Sequence, residues 1–328
     1  MNVRLTTKVA GALAGALLLS TTANAGSACG KVSIAEMNWA SAAMIANVDA
    51  AILTAMGCDV TIVTGDTLPT FTSMNEKGEP DIAPELWANS VSEALDSAVD
   101  AGRMKIAIEG PITGLGEGWW VLPHTLDANP ELTSVAAVLE RPDLFGGKFY
   151  GCPAGWGCQH TNKSFFDARG MAEKGWTLVD PGSSAGLTGS IAKASEQGEN
   201  WFGYYWSPTA VIGQYGMVQI PWDVPFTTDT DHYDSCLTQP ECADPQLSAW
   251  KAARVVTVIS ENMSRKNAEV NAYLAARVFP GEILNGELVW KLDNNATGAD
   301  TAAHFLATSD VWEAWVSADV AAAVKAAL

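Results

Sequence analysis

The stretch KVSIAEMNWASAAMIANVDAAILTAMGCDVTIVTG, residues 31–65, constrains the fold more than any other part of the sequence. A β-branched run, KVSIAEM, leads into an Ala-rich apolar helix at about residues 39–56, and a second strand, DVTIVTG, follows. Gly57 is well placed to end the helix, because glycine readily adopts the left-handed conformation found there. Strands joined by one crossover helix run parallel, so the sequence predicts an α/β protein.

The amino-acid composition changes along the rest of the chain. Residues 74–108 predict a loop, a helix near 85–101 and another strand, while the middle third is rich in Gly, Pro and Trp. After about residue 248 the chain returns to Ala-rich amphipathic helices. A length of 328 residues suggests about two domains. We therefore predict an α/β architecture with two lobes, one of them formed by the middle segment.

Residues 1–25 have the pattern of a secretory signal peptide. Positive charges in MNVRLTTK precede the apolar run VAGALAGALLLS, and ANA before Gly26 fits a small-x-small cleavage site. The apolar run is too short to span a bilayer. The sequence thus predicts an exported, periplasmic protein, which we expect to be monomeric.

The six cysteines favour disulfides, because an even number in an exported chain rarely serves metal binding. Their spacing favours the local pairs Cys29–Cys58, Cys152–Cys158 and Cys236–Cys242. No C-x-x-C spacing supports zinc. Pairing of Cys158 also makes a nucleophilic pair with His160 the less favoured interpretation.

The charge and the motifs exclude several function classes. With 19 Lys and Arg against 37 Asp and Glu, the net charge of −18 disfavours nucleic-acid binding. Hydrolase, metalloprotease, P-loop and dinucleotide motifs are absent from the sequence. Asp229, Asp231 and Asp234 offer oxygen ligands suited to Ca²⁺, but the glycine and the last glutamate of an EF-hand loop are missing. A solvated acidic loop is the default interpretation, and no other cofactor is expected.

The 13 tryptophans carry the functional signal. Trp250, Trp290, Trp312 and Trp315 lie in or near amphipathic segments, which predicts core packing. Six of the other nine follow loop or strand-end cues, and they are Trp39, Trp87, Trp119, Trp120, Trp156 and Trp206. Rings at strand ends of an α/β fold point into the crevice where such folds bind ligands. Several ring faces without a basic cluster suit a trimethylated ammonium group, which binds aromatic faces through cation–π contacts.

Four motifs, SIAEMNWASA, PDIAPELW, GEGWWVLP and GYYWSP, resemble the periplasmic substrate-binding proteins of ABC importers for glycine betaine, choline and related osmolytes. The resemblance extends from about residue 31 to residue 320. It implies the two-lobed periplasmic-binding-protein (type II) fold with the ligand in the interlobe cleft. Lobe 1 would comprise residues 26–110 and 223–328, and lobe 2 residues 111–222. The implied partner is an ABC permease in the inner membrane.

The resemblance also implies site residues. In this family, aromatic side chains surround the ligand in an arrangement called the box. The family's pattern places box residues at Trp39, Trp87, Trp119 or Trp120, and Trp206. The CPAGWGC loop lies where lobe 2 of the family offers backbone N–H groups to the anionic end of a ligand. Gly155, Trp156 and Gly157 are then candidates, with Trp156 also a box wall. Within the aromatic run 201–206, Tyr205 is the expected neighbour of Trp206 at the ligand.

The sequence departs from the pattern of this family in two ways that affect which ligand is expected. Choline binders carry an acidic residue where this chain has Ser41, and no arginine lies near a box motif, so a ligand carboxylate would depend on backbone amides or His160. Glu36 and Glu117 neighbour box tryptophans and would face a cation or, if protonated, donate to an N-oxide. The implied ligands are glycine betaine or trimethylamine N-oxide (TMAO), then choline, carnitine and dimethylsulfoniopropionate.

Two alternatives come from other classes. One is an enzyme that acts on a methylated amine with Glu36 and Glu117 as an acid–base pair. The other is an exported structural or sensor-linked protein with a vestigial pocket.

Overall fold

The computed structural model of the protein describes residue 1, residues 29–227 and residues 232–328. In these residues the strands form two five-stranded sheets, with the orders β2–β1–β3–β10–β4 and β7–β6–β8–β5–β9. The strands are β1 (Lys31–Met37), β2 (Asp59–Gly65), β3 (Ile82–Trp87), β4 (Met104–Glu109), β5 (Gly116–Val121), β6 (Lys148–Tyr150), β7 (Thr177–Val179), β8 (Phe202–Ser207), β9 (Val218–Gln219) and β10 (Val255–Ser260).

Helices cover both sheets. They are α1 (Ala40–Ala55), α2 (Thr67–Lys77), α3 (Ser92–Asp100), α4 (Pro123–Ala128), α5 (Val135–Leu139), α6 (Cys158–Ala168), α7 (Ser184–Gln197), α8 (Ala210–Tyr215), α9 (Glu261–Lys266), α10 (Ala268–Ala276), α11 (Gly281–Asp293), α12 (Gly298–Thr308) and α13 (Ala318–Ala327). Shorter helical turns lie at Ala88–Val91, Pro142–Phe145, Tyr233–Leu237 and Val311–Trp315. None of the helices in the described residues combines the length and apolarity that crossing a bilayer requires. Residues 2–25 of the predicted signal peptide lie outside the described residues.

The predicted strand–helix–strand unit is confirmed. Strands β1 and β2 pair in parallel along their whole length, and α1 crosses between them. Gly57 follows the helix with a φ of 85°, the left-handed conformation that favours glycine. Met44, Ile45 and Ile52 of α1 are fully buried in the core of this lobe. The crossover thus directs the end of β1, and Trp39 after it, towards the same sheet edge as the end of β3.

The predicted helix at 85–101 is wrong at its start. Residues 82–87 form strand β3, which lies between β1 and β10 inside the first sheet. An interior strand is buried on both faces, so its sequence lacks the alternation that marks a half-exposed strand. The helix itself begins only at Ser92.

The two sheets define two lobes of one mixed α/β fold, as predicted. The first sheet takes its strands from residues 31–109 and 255–260, and the second from residues 116–219. Strand β10 returns from the second lobe and inserts antiparallel between β3 and β4. The chain therefore crosses between the lobes more than once, and a cleft is left between them.

Candidate functional site

A cavity lies between the two lobes and is lined mainly by aromatic rings. The unfilled space inside it, counted together with its open mouth, is about 470 Å³. Seven aromatic side chains line it, and we call them the cage: Trp39, Trp87, Trp156, Tyr204, Trp206, Tyr233 and Trp250. The remaining lining residues are Thr67, Asn89, Ser90, Glu117, Gly157, Cys158 and Thr161. Within the described part of the chain, Glu117 is the only acidic lining residue, and no lysine, arginine or histidine joins it.

Lobe 1 supplies two cage walls from the ends of neighbouring strands. Trp39 follows β1 and precedes α1, and Trp87 ends β3. Because β1 and β3 are parallel, their carboxyl ends meet at one edge of the sheet. The indole Nε1 atoms of Trp39 and Trp87 donate to the same oxygen, Oε1 of Glu85, at 2.7 and 2.9 Å.

Lobe 2 supplies further walls from the antiparallel pair β5 and β8. Glu117 lies directly opposite Trp206, and Tyr204 is on the same face of β8 because side chains alternate along a strand. The rings of Tyr204 and Trp206 lie nearly parallel, with centroids 6.2 Å apart. The hydroxyl of Tyr204 donates to Oε1 of Glu117 at 2.7 Å, so the acidic group is fixed against the aromatic wall.

The loop between Cys152 and Cys158 brings Trp156 into the cage. The disulfide closes this short loop at the start of α6. The ring of Trp156 packs edge-on against Trp39, with centroids 5.4 Å apart, and against Trp206, at 5.1 Å. Three tryptophans from both lobes therefore meet at one corner of the cavity.

Contacts through the same loop join the lobes. Trp156 Nε1 of lobe 2 donates to Asn38 Oδ1 of lobe 1 at 2.6 Å, and the Leu68 backbone N–H donates to the Gly155 carbonyl at 3.1 Å. Gly157 approaches Ser90 so closely that an added Cβ atom would lie 1.8 Å from Ser90 Oγ. The structure therefore represents a closed arrangement of the lobes.

Trp119 and Trp120 do not line the cavity. Trp119 shares the cage-facing side of β5 with Glu117 but lies two residues deeper, where it is fully buried and packs on Phe149 at 4.6 Å. The guanidinium of Arg169 also lies 5.9 Å from its ring. Trp120 is on the opposite face and donates to the Tyr205 carbonyl at 3.1 Å. Strand alternation and depth along the strand place both rings in the framework of lobe 2.

Other predicted site residues also lie elsewhere. Tyr205 points to the opposite face of β8, where its hydroxyl bonds Thr188 at 3.1 Å, so Tyr204 and not Tyr205 accompanies Trp206. Glu36 accepts from Asn47 of α1 at 2.7 Å and does not line the cavity. The structure therefore does not bring Glu36 and Glu117 together as an acid–base pair.

Of the predicted loop residues, Gly157 lines the cavity, whereas the N–H of Gly155 donates to Gln159 Oε1 at 3.3 Å. His160 lies in a separate groove beside Thr238 and Gln239. Neither Gly155 nor His160 lines the cavity that the cage surrounds.

Trp250, Tyr233, Tyr204 and Glu85 were not predicted as site residues. Trp250 packs in the core as predicted, but its ring also lines the cavity, because its segment, despite its helical periodicity, contains no helix before β10. Tyr233 begins the helical turn Tyr233–Leu237, and its segment of the sequence carries no motif for a site. Glu85 did offer a signal, because it precedes Trp87 by two residues and so shares one face of a strand with it. The helix predicted there concealed that relation.

Burial controls the electrostatics of the cage. It raises the pKa of Glu117 to about 7, although hydrogen bonds from the side chains of Tyr204 and Trp250 oppose the shift. Glu117 is partly accessible and lines the cavity. A carboxyl group with this pKa changes charge near neutral pH, so this wall can be either a proton donor or an anion.

Two further predictions concern residues outside the cage, namely the three disulfides and the calcium site. The disulfides Cys29–Cys58, Cys152–Cys158 and Cys236–Cys242 form the pairs that the spacing favours. Of the calcium candidates, Asp229 and Asp231 lie outside the described residues. Asp234 forms a salt bridge with Lys251 at 2.7 Å, so the calcium site stays a prediction.

Comparison with known families assigns the chain. The model of the substrate binding domain of ABC-type glycine betaine transport systems matches residues 30–308. The chain belongs to this family. It is therefore of the solute-binding class of the glycine betaine and choline ABC transporters, whose members are not enzymes. No curated protein sequence gives a significant match.

Solved structures agree with this fold at low sequence identity. An ABC-transporter choline binding protein in complex with choline superimposes with a TM-score of 0.72 at 18% identity, covering 91% of this chain and 98% of that one. The glycine betaine and L-proline binding protein of Borrelia burgdorferi gives 0.71 at 14%, covering 90% and 99%. Lactococcal OpuAC in its closed-liganded conformation with glycine betaine gives 0.67 at 15%, covering 88% and 100%. At this identity the similarity supports the fold alone.

Proposed function

We propose that this protein captures a trimethylated amine in the cage, preferentially TMAO, and delivers it in the periplasm to an ABC permease of the inner membrane. The observation that carries the proposal is the composition of the cavity: seven aromatic rings and one acidic side chain. Methyl groups on a positive nitrogen bind ring faces well once water is excluded, at about 0.5–2 kcal/mol for each ring.

The acidic group favours TMAO over ligands that carry a carboxylate. Glycine betaine, carnitine and dimethylsulfoniopropionate each end in an anion, and the lining residues of the described chain include no basic side chain to bind it. The N-oxide oxygen of TMAO is a strong acceptor, and protonated Glu117 would donate to it. Trp206, opposite Glu117 on β8, would then contact the methyl groups.

Choline is the second candidate, because ionised Glu117 would pair with its ammonium group. Two of the similar structures hold choline and glycine betaine. The enzyme alternative is weakened because Glu36 is absent from the cavity. NMR after incubation with each osmolyte tests it directly, since a binding protein returns its ligand unchanged.

The pH dependence of binding separates the two candidates. The proton on Glu117 is present below a pH of about 7 and is lost above it. If TMAO requires that proton, its dissociation constant should rise about tenfold for each pH unit above 7. Choline affinity should instead increase between pH 6 and pH 8 and then level off, because Glu117 is by then almost fully ionised. Calorimetric titrations at pH 6, 7, 8 and 9 measure both trends.

Glu117→Gln is the control, because its amide donates at every pH. TMAO should bind this variant with the pH dependence removed, and any dependence that remains arises from another group, such as Glu85. A wild-type TMAO affinity that stays constant from pH 6 to 9 would refute the role of protonated Glu117.

A further inference from the structure

Glu85 lies behind the cage and contacts two of its walls. Its side chain is buried inside lobe 1, and it does not line the cavity. Its Oε1 atom accepts hydrogen bonds from Trp39 Nε1 at 2.7 Å, Trp87 Nε1 at 2.9 Å and Ser41 Oγ at 3.0 Å. Three donors, two at the start of α1 and one at the end of β3, therefore converge on one oxygen.

We propose that Glu85 is a positioning residue that sets the orientation of Trp39 and Trp87 towards the ligand; this rests on the proposed function. An indole ring turns about two side-chain torsions, and fixing its Nε1 atom fixes the plane of the ring. Cation–π attraction requires the ring face, not its edge, to point at the cation. One shared acceptor couples the two walls, which otherwise belong to different secondary-structure elements.

The arrangement has a cost that stability alone does not explain. The second oxygen of Glu85, Oε2, is buried and has no hydrogen-bond partner among the described residues. Burying an unpaired polar atom destabilises a fold, and apolar side chains of similar size often replace such groups at no loss. Burial raises the pKa of Glu85 to about 7, and the hydrogen bonds from Trp87, Trp39 and Ser41 oppose that rise, so these donors favour the ionised, accepting form of the carboxyl group. The geometry thus serves the cage.

Calorimetry with TMAO on three variants tests the proposal. Glu85→Leu removes the acceptor and leaves two indole N–H groups without it, and we expect a loss of affinity of about 30-fold. Glu85→Gln keeps an acceptor oxygen and should bind about tenfold more tightly than Glu85→Leu. Thr257→Val is the matched control, because Thr257 is buried, donates to the Pro84 carbonyl at 2.8 Å, accepts from Arg277 at 2.8 Å and is not the hydrogen-bond partner of either indole. Its affinity should stay within threefold of wild type.

A spectroscopic readout reports on positioning separately from affinity. In ¹⁵N-tryptophan-labelled protein, the indole N–H signals of Trp39 and Trp87, assigned with the Phe variants, should both shift in Glu85→Leu and stay in place in Thr257→Val. If Glu85→Leu does not fold, the same signals and the affinity of Glu85→Gln decide the matter. Displaced indole signals in Glu85→Gln with about threefold weaker binding than wild type support the proposal, and unchanged signals with wild-type affinity refute it.

Two other results would overturn the proposal: wild-type affinity in Glu85→Leu, or an equal loss in Glu85→Gln and Glu85→Leu. Failure of the proposed function looks different. In that case wild-type protein binds none of TMAO, choline and glycine betaine, while the indole shifts still report whether Glu85 holds the two rings.

Discussion

Replacing Gly157 with alanine is expected to reduce ligand affinity by about 100-fold while both lobes stay folded. A Cβ atom at this position would lie 1.8 Å from Ser90 Oγ and 2.5 Å from Ser90 Cβ, across the interlobe contact. Overpacking of this kind costs about 1–3 kcal/mol or more, and about 2.7 kcal/mol corresponds to 100-fold in affinity. Separating the lobes relieves the overlap, so the substitution opposes the closed state that encloses the ligand.

The backbone makes this substitution a clean one. Gly157 has a φ of −60°, which alanine adopts without strain, so the effect comes from the side chain alone. Calorimetry measures the affinity, and small-angle scattering measures the compaction on adding ligand. Ser90→Gly in the same protein removes both atoms that overlap and should restore binding.

Gly189→Ala is the control for the general effect of adding a methyl group. No atom lies within 4 Å of an added Cβ in that α7 position, and affinity should not change. Wild-type affinity and full compaction in Gly157→Ala would show that closure does not need this contact.

Replacing Trp156 with alanine is expected to weaken binding by a similar factor for a different reason. The variant loses a ring at the corner of the cage, worth about 2 kcal/mol in a dry site. It also loses the interlobe hydrogen bond to Asn38, worth about 1 kcal/mol. Together these terms give roughly 100-fold. Trp156→Phe keeps a ring face but not the N–H donor, so it should lose only about fivefold to tenfold.

Trp119→Phe is the matched control for this series, because Trp119 lies in lobe 2 but outside the cavity. It should lower the free energy of unfolding and leave the dissociation constant within twofold of wild type. An equal loss in Trp156→Phe and Trp156→Ala would mean that the ring face contributes little. A loss in Trp119→Phe as large as that in Trp156→Ala would argue against the assignment of the cage.

Secondary-structure elements could be predicted from the sequence where their local residue pattern determines their structure. The β1–α1–β2 unit has β-branched strands, an apolar helix and a glycine at the helix end, and each of these signals agrees with the fold. The sequence of β3 did not indicate a strand, because an interior strand is buried on both faces and its mainly apolar run resembles the start of a buried helix. The error hid Glu85, whose partners lie at the start of α1 and at the end of β3.

Site residues could be predicted where the sequence shows that a residue lies at the end of a strand. They could not be predicted where the distance of the residue from that strand end determines whether its side chain reaches the cavity. Trp39, Trp87, Trp156 and Trp206 were predicted at such positions, and the structure brings these four together. Trp119 and Tyr205 follow the same cues but do not reach the cavity. Tyr205 is one residue before Trp206 and so faces the other side of β8, and Trp119 lies two residues further along β5 than Glu117. Trp250 enters through the chain's return to lobe 1, which no local pattern records.

The most direct test of the central claim compares TMAO with tert-butanol, which has nearly the same shape but carries no positive charge on its central atom. Calorimetry at pH 6.5, where most Glu117 is protonated, should show one TMAO bound per protein with a micromolar dissociation constant. Binding of tert-butanol should be about 100-fold weaker or undetectable, because its methyl groups carry little positive charge for the ring faces. Equal affinities for the two molecules, or no saturable binding of TMAO at millimolar concentrations, would contradict the account.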